Sequence, residues 1–158
     1  METNCVIIGG GPAGLMAAEV LSQQGVRVDV YDSMSSLARK FLMAGKSGLN
    51  LTHSEPFERF ILRYSAPEVA TWLKDFTPDE LIAWAKELGI ETFVGTSGRV
   101  FPVGMKASPL LRAWLKRLDG NGVTVHLRHK WTGWDSSGAL RFETLEGESL
   151  VRADATIL

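Results

Sequence analysis

The sequence predicts an α/β fold built on a parallel sheet, and three observations near its start carry that expectation. Cys5-Val6-Ile7-Ile8 is a short apolar run of strand character. Gly9-Gly10-Gly11-Pro12-Ala13-Gly14 follows at once and leads into a helical stretch, Leu15 to Leu21. Val26 to Asp32 then reads as a second strand that ends in an acid. Strand, tight glycine turn, helix, strand and acid, in that order, make the dinucleotide-binding βαβ unit.

Each residue of the turn has a physical reason to be there. Gly9 lets the chain leave the first strand sharply. Gly11 carries no Cβ, so a pyrophosphate can approach the backbone. Pro12 and Ala13 open the helix, where the missing N–H of proline costs nothing. Gly14 lets that helix lie close to the sheet, and Ala18, one turn on, keeps the contact small. The free N–H groups and positive end of the helix then face the pyrophosphate. Asp32, at the tip of the second strand, can accept hydrogen bonds from ribose hydroxyls. Asp29 lies inside that strand and is read as pointing elsewhere. The competing reading is an ordinary glycine turn with a solvated Asp32.

The 158 residues suffice for one domain with a sizeable core. A formal net charge of −1 gives no general attraction to nucleic acid or to an anionic membrane, so neither is expected as a partner. The single cysteine, Cys5, excludes a disulfide framework and a Cys-x-x-Cys centre within this chain. It is expected to be a small buried apolar residue. The start carries Glu2 rather than a basic residue, and its apolar run breaks at three glycines, unlike a secretory signal. No apolar stretch is long enough to span a bilayer. The expected compartment is the cytoplasm.

The remaining elements follow in order. Ser35 to Leu42 reads as a short helix with a serine cap, leading into the glycine-rich loop Ala44 to His53. Val69, Trp72, Leu73 and Phe76 fall on one face of a helix, and tryptophans at such spacing are expected in the core. Thr77, Pro78 and Glu80 form a capping box for a second helix with Leu81, Trp84, Ala85 and Leu88 on its apolar face and Gly89 as its stop. Ile90 to Val94 and Arg99 to Val103 read as a hairpin around Gly95-Thr96-Ser97-Gly98. Ser108-Pro109 opens a helix that buries Leu111, Trp114, Leu115 and Leu118, with Gly120 beyond its end. Gly122 to Leu127 is a third parallel-type strand. Lys130 to Trp134, Ala139 to Thr144 and Ser149 to Arg152 alternate with turns as a three-stranded antiparallel meander. Ala153 to Leu158 reads as a strand that has just begun, so the chain is expected to be the front part of a longer protein; the alternative is a final strand that ends the fold.

A nicotinamide dehydrogenase continues its βαβ units in short steps. Here a long insertion separates the second and third strands, and a meander precedes the last. That layout resembles the Rossmann-like FAD-binding half of the glutathione-reductase-like flavoproteins. The expected organisation is one FAD-binding domain over 1–158, its N-terminal part, with a helical and hairpin insertion at 54–120.

A narrower resemblance rests on three segments. They are Val6 to Gly14, Arg39-Lys40-Phe41-Leu42-Met43-Ala44-Gly45-Lys46-Ser47-Gly48-Leu49-Asn50-Leu51-Thr52, and Gly98-Arg99-Val100-Phe101-Pro102-Val103. Together they make the chain similar to the N-terminal part of the HI0933-like flavoproteins, also described as NAD(P)/FAD-dependent oxidoreductases. The family often has Arg-Cys-Asn before the threonine, where this chain has Gly48-Leu49-Asn50, so no role for that cysteine carries over. The resemblance implies FAD as cofactor, NAD(P)H as a possible electron donor and a small-molecule substrate. It also implies a missing C-terminal part of the same protein that holds further cofactor strands and a substrate domain.

The second segment has its own physical logic. Arg39 and Lys40 can balance phosphate charge near the ribose; the alternative is a solvated basic helix face. Gly45 and Gly48 permit close backbone approach, and successive N–H groups in such a loop make an anion nest. Lys46, Asn50 and Thr52 are candidates to hydrogen-bond phosphate or the flavin ring, with Ser47 in the same run; the alternative is a surface turn. Arg99 can hold an anionic substrate or a flavin oxygen, or be an arginine in solvent at a hairpin edge, and Lys106 is a candidate of the same kind. A lone histidine such as His53 is more often structural, and His126 and His129 receive no role. No acid–base pair, metal cluster or nucleophile triad is evident, so no catalytic residue is assigned. The expected function is an FAD-dependent oxidoreductase of unidentified substrate. The alternatives are an NAD(P)-dependent dehydrogenase, a non-catalytic FAD-binding module and an inactive fragment.

Overall fold

A computed structural model describes residues 3–44 and 47–158. The chain divides into two compact units, one of residues 1–41 and 115–158 and the other of residues 42–114.

The first unit opens with β1 (Asn4–Ile8), α1 (Pro12–Gln23) and β2 (Arg27–Asp32). α2 (Arg39–Ala44) crosses into the second unit. There follow β3 (Thr52–His53), α3 (Phe57–Phe60), a 3-10 turn (Ile61–Arg63), α4 (Pro67–Asp75), α5 (Pro78–Glu87), β4 (Thr92–Val94) and β5 (Arg99–Pro102). α6 (Ala107–Gly120) returns the chain to the first unit, which ends with β6 (Thr124–Leu127), β7 (Lys130–Trp134), β8 (Leu140–Thr144), β9 (Gly147–Val151) and β10 (Ala155–Ile157).

In the first unit a parallel sheet has the order β10-β1-β2-β6. β1 is almost continuously apolar because it is an interior strand of a parallel sheet, covered on both faces; its Val6 and Ile7, like Val28 and Val30 of β2, are essentially inaccessible. The meander β7-β8-β9 forms a separate antiparallel sheet. Its Phe142 and Leu140 pack with Val6 and Tyr31 in one buried cluster. Tyr31 lies stacked between His126, at 4.2 Å between ring centroids, and Phe142, at 4.4 Å. Burying a side chain such as Phe142 contributes about 1.5–3 kcal/mol. Asp29 does point away from the strand tip: its carboxylate meets His126 Nε2 at 2.7 Å. Glu19, buried on α1, is compensated by Arg117 of α6 at 2.9 Å. Cys5 is buried, and burial pushes its thiol pKa up.

In the second unit β3, β5 and β4 form an antiparallel sheet in that order. The capping box of α5 is present in full: Glu80 N–H donates to the Thr77 hydroxyl and Thr77 N–H donates back to the Glu80 carboxylate. Gly89 follows with φ 78°, the left-handed geometry that ends a helix. The Trp84 and Trp114 rings meet edge to face at 4.9 Å.

Three expectations need correction. The helix read from Ser35 begins only at Arg39. Ala38 takes φ 52°, and its N–H donates to the Gly10 carbonyl at 2.8 Å, so a tertiary bond replaces the helical one. Ala38, not a serine, immediately precedes the helix. Trp72 is 66% exposed, and α4 buries none of its residues. Helical periodicity reports a shared face but not whether that face is covered. Gly120 is the last helical residue rather than the first beyond the helix.

Candidate functional site

The glycine turn joins β1 to the tip of α1, with Asp32 beside it. Gly9 sits at φ 109°, reserved in effect for glycine, and its N–H donates to Tyr31 O at 2.8 Å. Gly14 is held to glycine by space: a Cβ there would lie 2.0 Å from the Gly9 carbonyl oxygen and 3.2 Å from Ile7. At Gly11 an added Cβ would meet nothing within 4 Å. Gly11 is the N-cap of α1 and Pro12 follows in the first turn. The first-turn N–H groups receive no side-chain cap, and no acid lies among them. An uncapped helix start without a carboxylate is an electropositive seat for an anion.

Asp32 anchors the other side. Its Oδ2 accepts the Gly10 N–H at 2.8 Å and its Oδ1 accepts the Met34 N–H at 2.7 Å. A carboxylate offers about four lone-pair directions, so acceptor capacity remains for hydroxyl donors. The corner after β6 braces the same loop: Arg128 N–H donates to Met34 O and His129 N–H to Asp32 O, each at 3.0 Å. Arg128 reaches this geometry with φ 58°.

Gly10 escaped the sequence reading. A Cβ on it would lie 2.1 Å from Leu37 Cδ2 and 3.0 Å from Asp32 Oδ2. The spacing pattern of the fingerprint leaves that position open, so only the run of three glycines hinted at the constraint. Gly10, Gly11, Pro12, Asp32, Arg39 and Lys40 line one cleft of ≈ 380 Å³. Arg39 and Lys40 are thus brought to the turn and the acid by the start of α2.

The other candidates lie in the second unit. Gly48 has φ 140°, and a Cβ on it would meet Met105 Cε at 2.6 Å. Leu49 N–H donates to Met105 O and Leu51 N–H to Val100 O, each at 2.9 Å, which lays this run along β5. Thr52 is buried opposite Val100, whereas Ser47 and Asn50 are exposed. Arg99 is exposed and opposite His53. His53 is structural here: its Nε2 lies 3.0 Å from Ser97 O and its Nδ1 3.1 Å from the Glu55 N–H. Gly45 and Lys46 lie outside the described residues.

A parallel sheet, a glycine turn at a helix tip and an acid at the end of the next strand define a Rossmann-type dinucleotide fold. The chain belongs to the HI0933-like family: the HI0933-like protein Rossmann domain matches residues 3–158. A curated relative from Haemophilus influenzae, named ribosomal RNA dihydrouridine synthase, is 32% identical over 96 residues, 61% of this chain and 24% of that protein. The fold also matches a 3-ketosteroid-Δ4-(5α)-dehydrogenase from Rhodococcus jostii with TM-score 0.66 and 15% identity, over 96% of this chain and 44% of that one. A p-nitrophenol 4-monooxygenase from Pseudomonas putida gives 0.59 and 17%, over 99% and 40%. THI4 of Thermovibrio ammonificans gives 0.58 and 18%, over 98% and 56%. The chain thus spans about half or less of the length of the proteins it matches. No helix among the described residues is long and apolar enough to cross a membrane.

Proposed function

We propose that this chain is the FAD-binding part of an oxidoreductase. The observation that carries the reading is the pairing of an uncapped α1 start at Gly11 with Asp32 one hydrogen bond away through Gly10. In this reading the backbone of Gly11, Ala13 and Gly14 holds the pyrophosphate, while Gly9 and Pro12 fix the turn. Asp32 takes the adjoining ribose hydroxyls. Arg39 and Lys40 offset the phosphate charge across the cleft. Gly45 to Gly48, Asn50 and Thr52 serve the phosphate or the flavin ring, and Arg99 holds an anionic substrate group. A bound flavin supplies two-electron transfer, with NAD(P)H as the donor. The protein contributes orientation and charge. The meander between β6 and β10 favours FAD over a nicotinamide as the resident group. The test is to titrate the complete gene product with FAD, NAD and NADP. A yellow complex with FAD alone supports the reading, and retention of NAD or NADP without flavin overturns it.

For the substrate, a small organic molecule is the general expectation. A more specific reading is favoured by the relative named ribosomal RNA dihydrouridine synthase. In it, the uracil ring of an RNA nucleotide gains a hydride equivalent and a proton across its carbon–carbon double bond, and the nicotinamide donor is oxidised. The formal charge of −1 is a net value over the whole chain and does not exclude RNA held at a local site. Such an enzyme acts in the cytoplasm, where RNA and nicotinamide donors meet. Incubating the complete protein with FAD, NADPH and RNA, then weighing the nucleosides, tests this. Uridine heavier by two hydrogens supports it, and unchanged uridine overturns it.

A further inference from the structure

Along β5, in the sheet of the second unit, buried and more exposed positions alternate. Val100 and Pro102 of β5 are fully buried. Alternation along the strand therefore puts Arg99 and Phe101 on the other face. Phe93 of β4 is the direct cross-strand partner of Phe101, with ring centroids 5.9 Å apart and planes at 30°. Phe93 is 41% exposed and Phe101 half-buried. The Phe101 ring is flanked by two glycines: an added Cβ would lie 3.2 Å from it at Gly95 and 3.7 Å from it at Gly48. Arg99 stands two residues along the strand, about 7 Å away. No carboxylate pairs with it among the described residues. Glu55, the acid beside His53, is already held by Arg63.

We propose that the outward face of β4 and β5 is a stacking platform for single-stranded RNA, with bases on Phe93 and Phe101 and a phosphate on Arg99. The proposal rests on the reading of the substrate as an RNA uracil. Open aromatic rings beside an uncompensated arginine on a sheet are the means by which proteins hold unpaired bases and their backbone. Charge complementarity selects this occupant over an apolar one. An apolar partner laid on the rings would strip water from Arg99 and return no counter-charge. A nucleotide supplies both a π-face and an anion at the spacing of two strand residues.

The complete gene product loaded with FAD is tested with a fluorescent, uridine-containing single-stranded oligoribonucleotide by anisotropy. Phe93→Leu and Phe101→Leu keep apolar bulk and remove the π-face, and Arg99→Gln removes the charge. Retained flavin and an unchanged melting temperature establish that each variant folds. Each phenylalanine variant is expected to weaken binding about tenfold. Arg99→Gln is expected to flatten the plot of log affinity against log salt by about 0.7. Wild-type affinity in Phe93→Leu and an unchanged salt slope in Arg99→Gln overturn the platform and leave uridine reduction standing. Loss of stability in Phe93→Leu with unchanged RNA affinity means that other protein covers this face, and also overturns it. If the unaltered protein does not bind the oligoribonucleotide, the platform falls. Uridine reduction is judged separately, by the nucleoside masses.

Discussion

The Gly10 N–H donates to the Asp32 carboxylate at 2.8 Å, tying the tip of β1 to the tip of β2. This bond fixes the acid where the chain turns into α1. Asp32→Ala removes the acceptor for both Gly10 and Met34 as well as any ribose contact. The expected loss of FAD affinity is about 1.5–3 kcal/mol, the scale of a hydrogen bond to a charged group. Asp32→Asn keeps one acceptor oxygen and should lose less. Flavin fluorescence titration of the complete protein measures both, and equal affinities in all three proteins would contradict the assignment.

Gly11 and Gly14 separate binding from folding. The space around an added Gly11 Cβ is open, and φ there is −82°, which any residue adopts. Gly11→Val should therefore fold and melt like the parent while losing FAD, because its side chain stands where the pyrophosphate would lie. Gly14→Ala drives a Cβ to 2.0 Å from a backbone oxygen. The helix must then move off the sheet, at a cost of about 1–3 kcal/mol or more. Thermal melts with and without FAD distinguish the two: a stable, FAD-free Gly11→Val beside an unstable Gly14→Ala is the expected pattern.

Much of this was legible before any coordinates, for reasons that differ by residue. Local chemistry carried the α1 turn and the α5 box, because Gly9, Pro12, Thr77 and Glu80 each answer to backbone geometry within a few residues. The order of β6, the meander and β10 followed from alternation and turn residues. What failed depended on distant partners. Ala38 leaves the helical register to bond Gly10, far back in sequence. Trp72 has the spacing of a core residue and no cover. In each case a tertiary contact, or its absence, outweighed the local signal.

The α5 box makes a pH prediction. The Thr77 backbone N–H, followed by its hydroxyl, holds the Glu80 carboxyl below its ordinary value of 4.5. A depressed carboxylate contributes stability that is complete above 4.5 and is lost as pH falls through the lower folded value. The protection factors of the α5 amides, which divide out the intrinsic pH dependence of exchange, should therefore stay high at neutral pH and fall only below that point. Glu80→Gln should abolish this acid step. Thr77→Ala should loosen the helix start at every pH, by about 0.5–2 kcal/mol. An acid step of equal size in Glu80→Gln would contradict the account.

Cys5 gives a probe of the sheet itself. It lies inside β1, between Val28 of β2 and Ala155 of β10, and burial raises its thiol above the ordinary 9.0. The reactive thiolate is thus doubly scarce in the native state, through access and through ionisation. Iodoacetamide at mildly alkaline pH should label the native protein far more slowly than the urea-unfolded chain, at a rate that tracks opening of the sheet. The same shift sets a sign at high pH. The unfolded chain ionises first, so stability present below 9.0 declines as pH rises toward the folded value. Cys5→Ala should remove that contribution to the alkaline slope while leaving the one from Tyr31, whose hydroxyl burial also raises above 10.0. Rapid native labelling would place β1 at an open edge, which the pairing of β1 with both β2 and β10 does not allow.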